Sequence, residues 1–144
     1  MGEENFKNLL ALSSVGYSIE NKIITSSENF KVRINDLSNF FDDVVKGLES
    51  IINLRLGIKE YHLVENLKEI VEASGYQCQG STKEDVEKII KGFKNTMNQL
   101  KNLEKNPKKF YETKDAEKLL NLCNNIKNIY LRDTKIFECE SFVA

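Results

Sequence analysis

Arg55 and His62 are the pair in this 144-residue chain whose types and spacing suit chemistry, and His62 is the only histidine. An imidazole titrates near neutral pH and can give or take a proton. A guanidinium holds phosphate oxygens in a rigid fork. Seven residues is close to two helical turns, so on one unbroken helix the two side chains would share a face, about 20° apart. Both stand at the polar end of an apolar seam. Phe30, Ile34, Leu37, Phe41, Val44, Leu48 and Ile51 alternate steps of four and three, and the next steps of that register land on Arg55, Ile58 and His62. Such a seam marks the buried face of a long helix packed on other helices.

The run Arg55-Leu-Gly-Ile-Lys-Glu-Tyr-His62 resembles the arginine-to-histidine signature of the HEPN superfamily. That resemblance implies a small α-helical bundle of a kind that includes dimeric, metal-independent ribonucleases. It casts His62 in acid–base chemistry and Arg55 as the support of the phosphate. The residues also carry a plainer reading: an arginine laying its aliphatic stem along a helix end, and a solvent-facing histidine.

A second seam is interrupted in the same way. Ala116, Leu119, Cys123, Ile126 and Tyr130 lead to Asp133 and then Phe137. In up-down order the second and fourth long helices run parallel, which brings Arg55 and Asp133 to one end of the bundle. The register therefore predicts a partly buried ion pair between them, with His62 close by, as a polar layer that sets the pairing of helices.

Gly75-Tyr-Gln-Cys-Gln-Gly80-Ser81-Thr82 has the glycine spacing of a P-loop. Ser81 sits where the phosphate-binding lysine is required, so nucleotide hydrolysis is excluded. A small-anion site built from Ser81, Thr82 and Lys83 at the start of the next helix survives as an alternative. With one histidine there is no second Glu-x-x-His for a di-iron bundle. Cys78, Cys123 and Cys139 form no Cys-x-x-Cys, so neither a zinc site nor any other metal or cofactor is expected. They read as free thiols of a reducing compartment, with a Cys78–Cys139 bridge as an unsupported alternative. The carboxylates Asp42-Asp43 and Glu84-Asp85 read as solvent-facing, the second pair at a helix start where negative charge is favoured.

The formal net charge is −1, but it is unevenly spread: residues 1–75 carry 8 basic and 12 acidic side chains, residues 76–144 carry 13 and 10. Between Lys88 and Lys109 there are seven lysines against Glu104 alone. Lys91, Lys94, Lys101, Lys105 and Lys108 each follow a seam position or its continuation, making a basic stripe beside the apolar face. Such a stripe can track the phosphates of a nucleic acid, although lysines covering the edge of a core are the commoner case.

One proline and this periodicity predict an all-α chain. A first helix is expected over about Glu3 to Ile23. The Thr25-Ser-Ser-Glu28 capping box opens a second that runs to about Leu56 and stops at Gly57. A shorter helix fits Lys59 to Ala73. A third long helix follows the Ser81-Thr-Lys-Glu84 box along Val86, Ile90, Phe93, Met97 and Leu100. Asn106-Pro107 opens a short turn with Phe110 and Tyr111, and the last helix spans about Lys114 to Phe137. Residues 17–34 can alternatively be read as two alternating strands in a hairpin. The expected architecture is an antiparallel up-down bundle of four long helices with one or two short ones, residues 1–144 forming one domain. No apolar run is long enough to span a bilayer. The acidic start lacks a signal peptide's basic region, so a cytoplasmic chain is expected. The function expected from this is non-enzymatic: a helical module working by protein–protein contact or self-association.

Overall fold

The computed structural model describes residues 2–25, 27–53, 55, 57–73, 77–78, 82–133 and 137. They form six helices: α1 Glu3–Glu20, α2 Glu28–Ile51, α3 Ile58–Ala73, α4 Thr82–Lys105, α5 Pro107–Tyr111 and α6 Asp115–Arg132. No strand occurs among the described residues, so the helical reading of residues 17–34 holds over the hairpin. Nor is any helix in them long and apolar enough to cross a membrane.

The four long helices are α1, α2, α4 and α6. α1 lies between α2 and α6, α2 also packs on α4, and α3 fills the side between α4 and α6. α1 and α6 run antiparallel. Asn8 near the start of α1 meets Tyr130 near the end of α6, and Gly16 later in α1 lies against Leu120 and Cys123. α1 and α2 form a tight helical hairpin, spanned by the ion pair of Lys7 with Asp36 at 3.6 Å.

The expected seams form the core, with Met97 and Ala116 only half-buried against it. Phe30, Ile34, Leu37, Phe41, Val44, Leu48 and Ile51 are all buried. So are Val86, Ile90, Phe93 and Leu100 of α4, and Leu119, Cys123, Ile126 and Tyr130 of α6. Leu63, Leu67, Ile70 and Val71 bury the inner face of α3. Phe40 and Val45, adjacent to the α2 seam, are buried as well. That helix touches α1 and α4 with different faces and so needs a wider apolar arc than one seam.

Element ends depart from the sequence reading. α1 stops at Glu20, not near Ile23. The amide of Lys22 donates to the Ile19 carbonyl at 3.1 Å, and that of Ile23 to the Ser18 carbonyl at 2.9 Å. Lys22 itself is left-handed at φ 50°. This is a Schellman closure carried by a lysine where glycine is usual, so no glycine announced it. The hydroxyl of Tyr111 in α5 secures the turn, 2.7 Å from the Ile23 carbonyl and 3.1 Å from that of Ser18. At α2 the capping residue is Ser27, whose hydroxyl accepts from the Phe30 amide at 3.3 Å, rather than Thr25. α5 begins as expected, with the Asn106 side chain accepting from the Lys109 amide and Pro107 in the first turn.

Gly16 lets α1 and α6 approach closely. A Cβ built there would find its nearest neighbours, Cys123 Cβ and Asn124 Oδ1, at 3.8 Å, an ordinary contact. Gly16→Ala is therefore expected to stabilise the fold by about 0.5–1 kcal/mol, the helix-propensity gain without a clash. Gly16→Leu is expected to destabilise it by about 1–3 kcal/mol through overpacking. Urea denaturation of the two variants beside the parent checks both signs.

Candidate functional site

The proposed polar layer is not buried. Arg55, His62 and Asp133 are each exposed. α2 ends at Ile51, four residues before Arg55, and α3 begins only at Ile58, after a non-helical Gly57. Arg55 and His62 therefore do not share one continuous helix. α6 likewise ends at Arg132, and Asp133 follows as an extended cap with φ −154° and ψ 102°. Physics explains both terminations. Continuing either seam by one more step would carry a charge onto a buried face, at a cost of several kcal/mol. Ending the helix leaves the charged residue on the exposed surface instead. Beyond Asp133, Phe137 folds back, its ring stacked on Tyr130 at 5.4 Å and edge-on to Phe40 at 5.3 Å.

Of the candidate anion site, Ser81 lies outside the described residues, Thr82 opens α4, and Lys83 is exposed. The lysines of the expected stripe, Lys91, Lys94, Lys101, Lys105 and Lys108, are all exposed. Cys78 and Cys123 are free thiols, and Cys139 lies outside the described residues. Burial pushes the Cys123 thiol up to about 12. Burial also raises Cys78, helped by the carboxylates of Asp85 and Glu72. Neither environment makes the thiolate that a nucleophile or metal ligand requires. No group of three potential metal ligands occurs among the described residues.

Asp85 corrects the expectation of a solvent-facing pair: Glu84 is exposed, but Asp85 is only 4% exposed. Its Oδ2 lies 3.0 Å from Lys68 Nζ, which joins α4 to α3, while its Oδ1 is buried with no hydrogen-bond partner among the described residues. Lys68 also reaches Glu65 at 3.5 Å. The hydrogen bond to Asp85 raises the Lys68 pKa against the opposing effect of desolvation. A raised lysine pKa means the pair's stabilisation is complete below the ordinary lysine value. It is lost only as pH climbs through the raised one, so the pair is intact at neutral pH. Asp36, 6% exposed, is a second buried carboxylate, held by Arg33 at 3.1 Å and Lys7 at 3.6 Å. The only sequence hint of this cluster was Arg33 three residues before Asp36, a spacing too common to single out.

Two surface features complete the inventory. Between α3 and α6 an open groove of about 230 Å³ is lined by Glu69, Ile70, Asn125, Asn128, Ile129 and Arg132. It offers a carboxylate, a guanidinium and two amides above an isoleucine floor, a set that binds polar groups and holds no nucleophile. At the start of α3, Ile58 is 80% exposed and Tyr61 49% exposed. They are three residues apart and so neighbours on the helix surface. The exposed His62 ring lies edge-on to Tyr61 at 6.2 Å.

The α3–α4 ion pair predicts an asymmetry. Lys68 is 19% exposed and can turn to water, whereas Asp85 cannot. Lys68→Met, which strands a buried carboxylate, is expected to cost about 3 kcal/mol. Asp85→Asn, which leaves a neutral amide beside a movable lysine, is expected to cost about 1 kcal/mol. Urea midpoints for the two variants give the order, and equal losses would contradict this account of the pair.

No protein-family model matches the chain, and neither a curated protein nor a solved structure matches it.

Proposed function

We propose that the chain is a non-enzymatic helical module that works by contact with protein, and that its contact face is the first turn of α3, pairing with a second copy. The observation that carries this reading is the exposure of Ile58 and Tyr61 side by side. Phe6, Tyr17, Ile24, Val32 and Leu131 are exposed too, but no two of these stand three or four apart on one helix, as Ile58 and Tyr61 do. Interfaces concentrate their energy in a few such anchors, tyrosine prominent among them, ringed by polar groups that exclude water. Arg55, Glu60 and His62 lie around them in the sequence and supply a polar rim.

The test is sedimentation or light scattering from low micromolar to near-millimolar chain. The mass is expected to rise from 16.6 kDa toward twice that value. Ile58→Asp with Tyr61→Ser is expected to hold it at the monomer value at every concentration, with an unchanged helical circular dichroism spectrum. A parent chain that stays monomeric throughout sinks the self-association reading.

A second reading follows from the accessibility of Arg55 and His62, both exposed around the start of α3. A ribonuclease using them would cleave RNA in the presence of EDTA, and His62→Ala would abolish the cleavage. The module reading expects no cleavage by the parent chain, and no effect of His62→Ala on mass.

A further inference from the structure

We infer that the outer face of α4, continued into α5, is a binding surface for the phosphodiester backbone of a double-stranded nucleic acid, read without sequence preference. On α4, Lys91, Lys94, Lys101 and Lys105 are all exposed, with the exposed Asn98 and Asn102 between them. At about 100° per residue these six fall within a stripe about 100° wide, and the four lysines span about 21 Å along the helix axis. Lys108 and Lys109, both exposed, carry the charge into α5. Lys94 has an acidic neighbour, Glu49 of α2, at 3.9 Å with both side chains more than half exposed, a contact too solvated to neutralise it.

The character of this face selects the partner. The large exposed apolar residues among the described ones are Phe6, Tyr17, Ile24, Val32, Ile58, Tyr61 and Leu131, and none of them lies on α4 or α5. A protein interface needs a desolvated anchor at its centre, and a membrane-surface helix needs an apolar face to insert. This face has neither. Backbone phosphates need only positive charge and hydrogen-bond donors, which lysine and asparagine supply. The face also lacks the aromatic and arginine planes on which unpaired bases stack, which favours a duplex over a single strand. The chain's near-neutral net charge does not oppose this. At physiological salt a surface charge is screened within about 8 Å, so a partner seated on α4 from Lys91 onward feels the local lysines and not the distant acidic helices, and the exposed Glu87 one turn earlier marks where the basic stripe ends.

The test is fluorescence anisotropy of the full chain against labelled DNA and RNA duplexes of one mixed sequence. Lys101→Glu with Lys105→Glu serves as the variant, and Lys31→Glu on α2 as the remote control. Binding is expected at low salt, weakening about a hundredfold between about 50 and 200 mM salt if about four phosphates are contacted. The double variant is expected to lose about tenfold or more in affinity, the control to change little, and both to keep the parent's helical spectrum. Binding of either duplex supports the inference, and comparison of the two shows which backbone is preferred. Absence of binding at low salt, equal binding by the double variant, or displacement of the duplex by polyglutamate at equal charge would each overturn it. The last of these would assign the face to an acidic protein. Stronger capture by anionic vesicles than by duplex would also overturn it, in favour of a lipid surface.

Discussion

The bundle is organised around one buried hydroxyl. Tyr130 is the largest fully buried side chain among the described residues. Its phenol sits in the core and its oxygen must find partners there, because an unpaired buried hydroxyl costs about 1–3 kcal/mol. Two partners come from α1: the hydroxyl donates to Asn5 Oδ1 and accepts from Asn8 Nδ2, the latter at 3.5 Å. α6 is thereby keyed to the first turns of α1 in one register, since a slip of one turn along either helix would strand both the phenol and the buried Asn8. The ring side of the same residue meets Phe40 of α2 edge-on at 5.7 Å. Phe40 leads to Phe41 and so to Phe93 of α4 at 5.5 Å. One tyrosine thus links all four long helices, its polar end fixing register and its apolar end joining the aromatic core.

That arrangement explains which parts of the fold were legible in the sequence. A heptad seam reports burial because period and packing share one geometry, and the seams of α2, α4 and α6 are buried as their spacing demands. The seam says little about where a helix stops. Arg55 and Asp133 looked like polar positions inside two helices that met in a layer. Instead, Arg55 lies four residues past the end of α2, and Asp133 is the C-cap of α6. A charge on a buried register position has two solutions, pairing or termination, and the pattern alone does not distinguish them. Gly57, six residues beyond the end of α2, was the nearest sequence signal, and it marks the start of α3 more closely than the end of α2. The end of α1 was hidden for a related reason. Lys22 takes the left-handed position usually given to glycine, and the turn draws support from Tyr111, distant in sequence.

The polar residues that matter most to the packing were the least legible. Asp36 and Asp85 both precede seam residues, Leu37 and Val86, and on charge alone belong with the solvated face. Each is buried because a cation from another helix reaches it, Lys7 from α1 and Lys68 from α3. Sequence spacing describes one helix at a time, whereas these carboxylates are satisfied across helices. The same limit applies to Ile58 and Tyr61. Ile58 continues the register of the α2 seam, which predicts burial, but α3 is a separate helix with its own inner face of Leu63, Leu67 and Ile70, and the continuation is left outside it.

The two buried pairs also shape the field of the surface. Asp85 is matched by Lys68, and Asp36 by Lys7 and Arg33, so those carboxylates are compensated where they stand and contribute little at a distance. The exposed acids that remain lie on α1, α2, α3, the first two turns of α4, Glu112 after α5 and both ends of α6, while α4 from Lys91 onward faces water mainly with lysines and asparagines. A net charge near zero therefore describes a segregated surface, not a neutral one. The C-terminal half of a helix carries partial negative charge on its free carbonyls, which lowers the cost of gathering lysines there. That effect fades within the last turn, so it accounts for Lys105 and not for Lys91, Lys94 and Lys101. The extension of the stripe across more than three turns exceeds what the stability of α4 requires, and that excess is the feature an external polyanion would use.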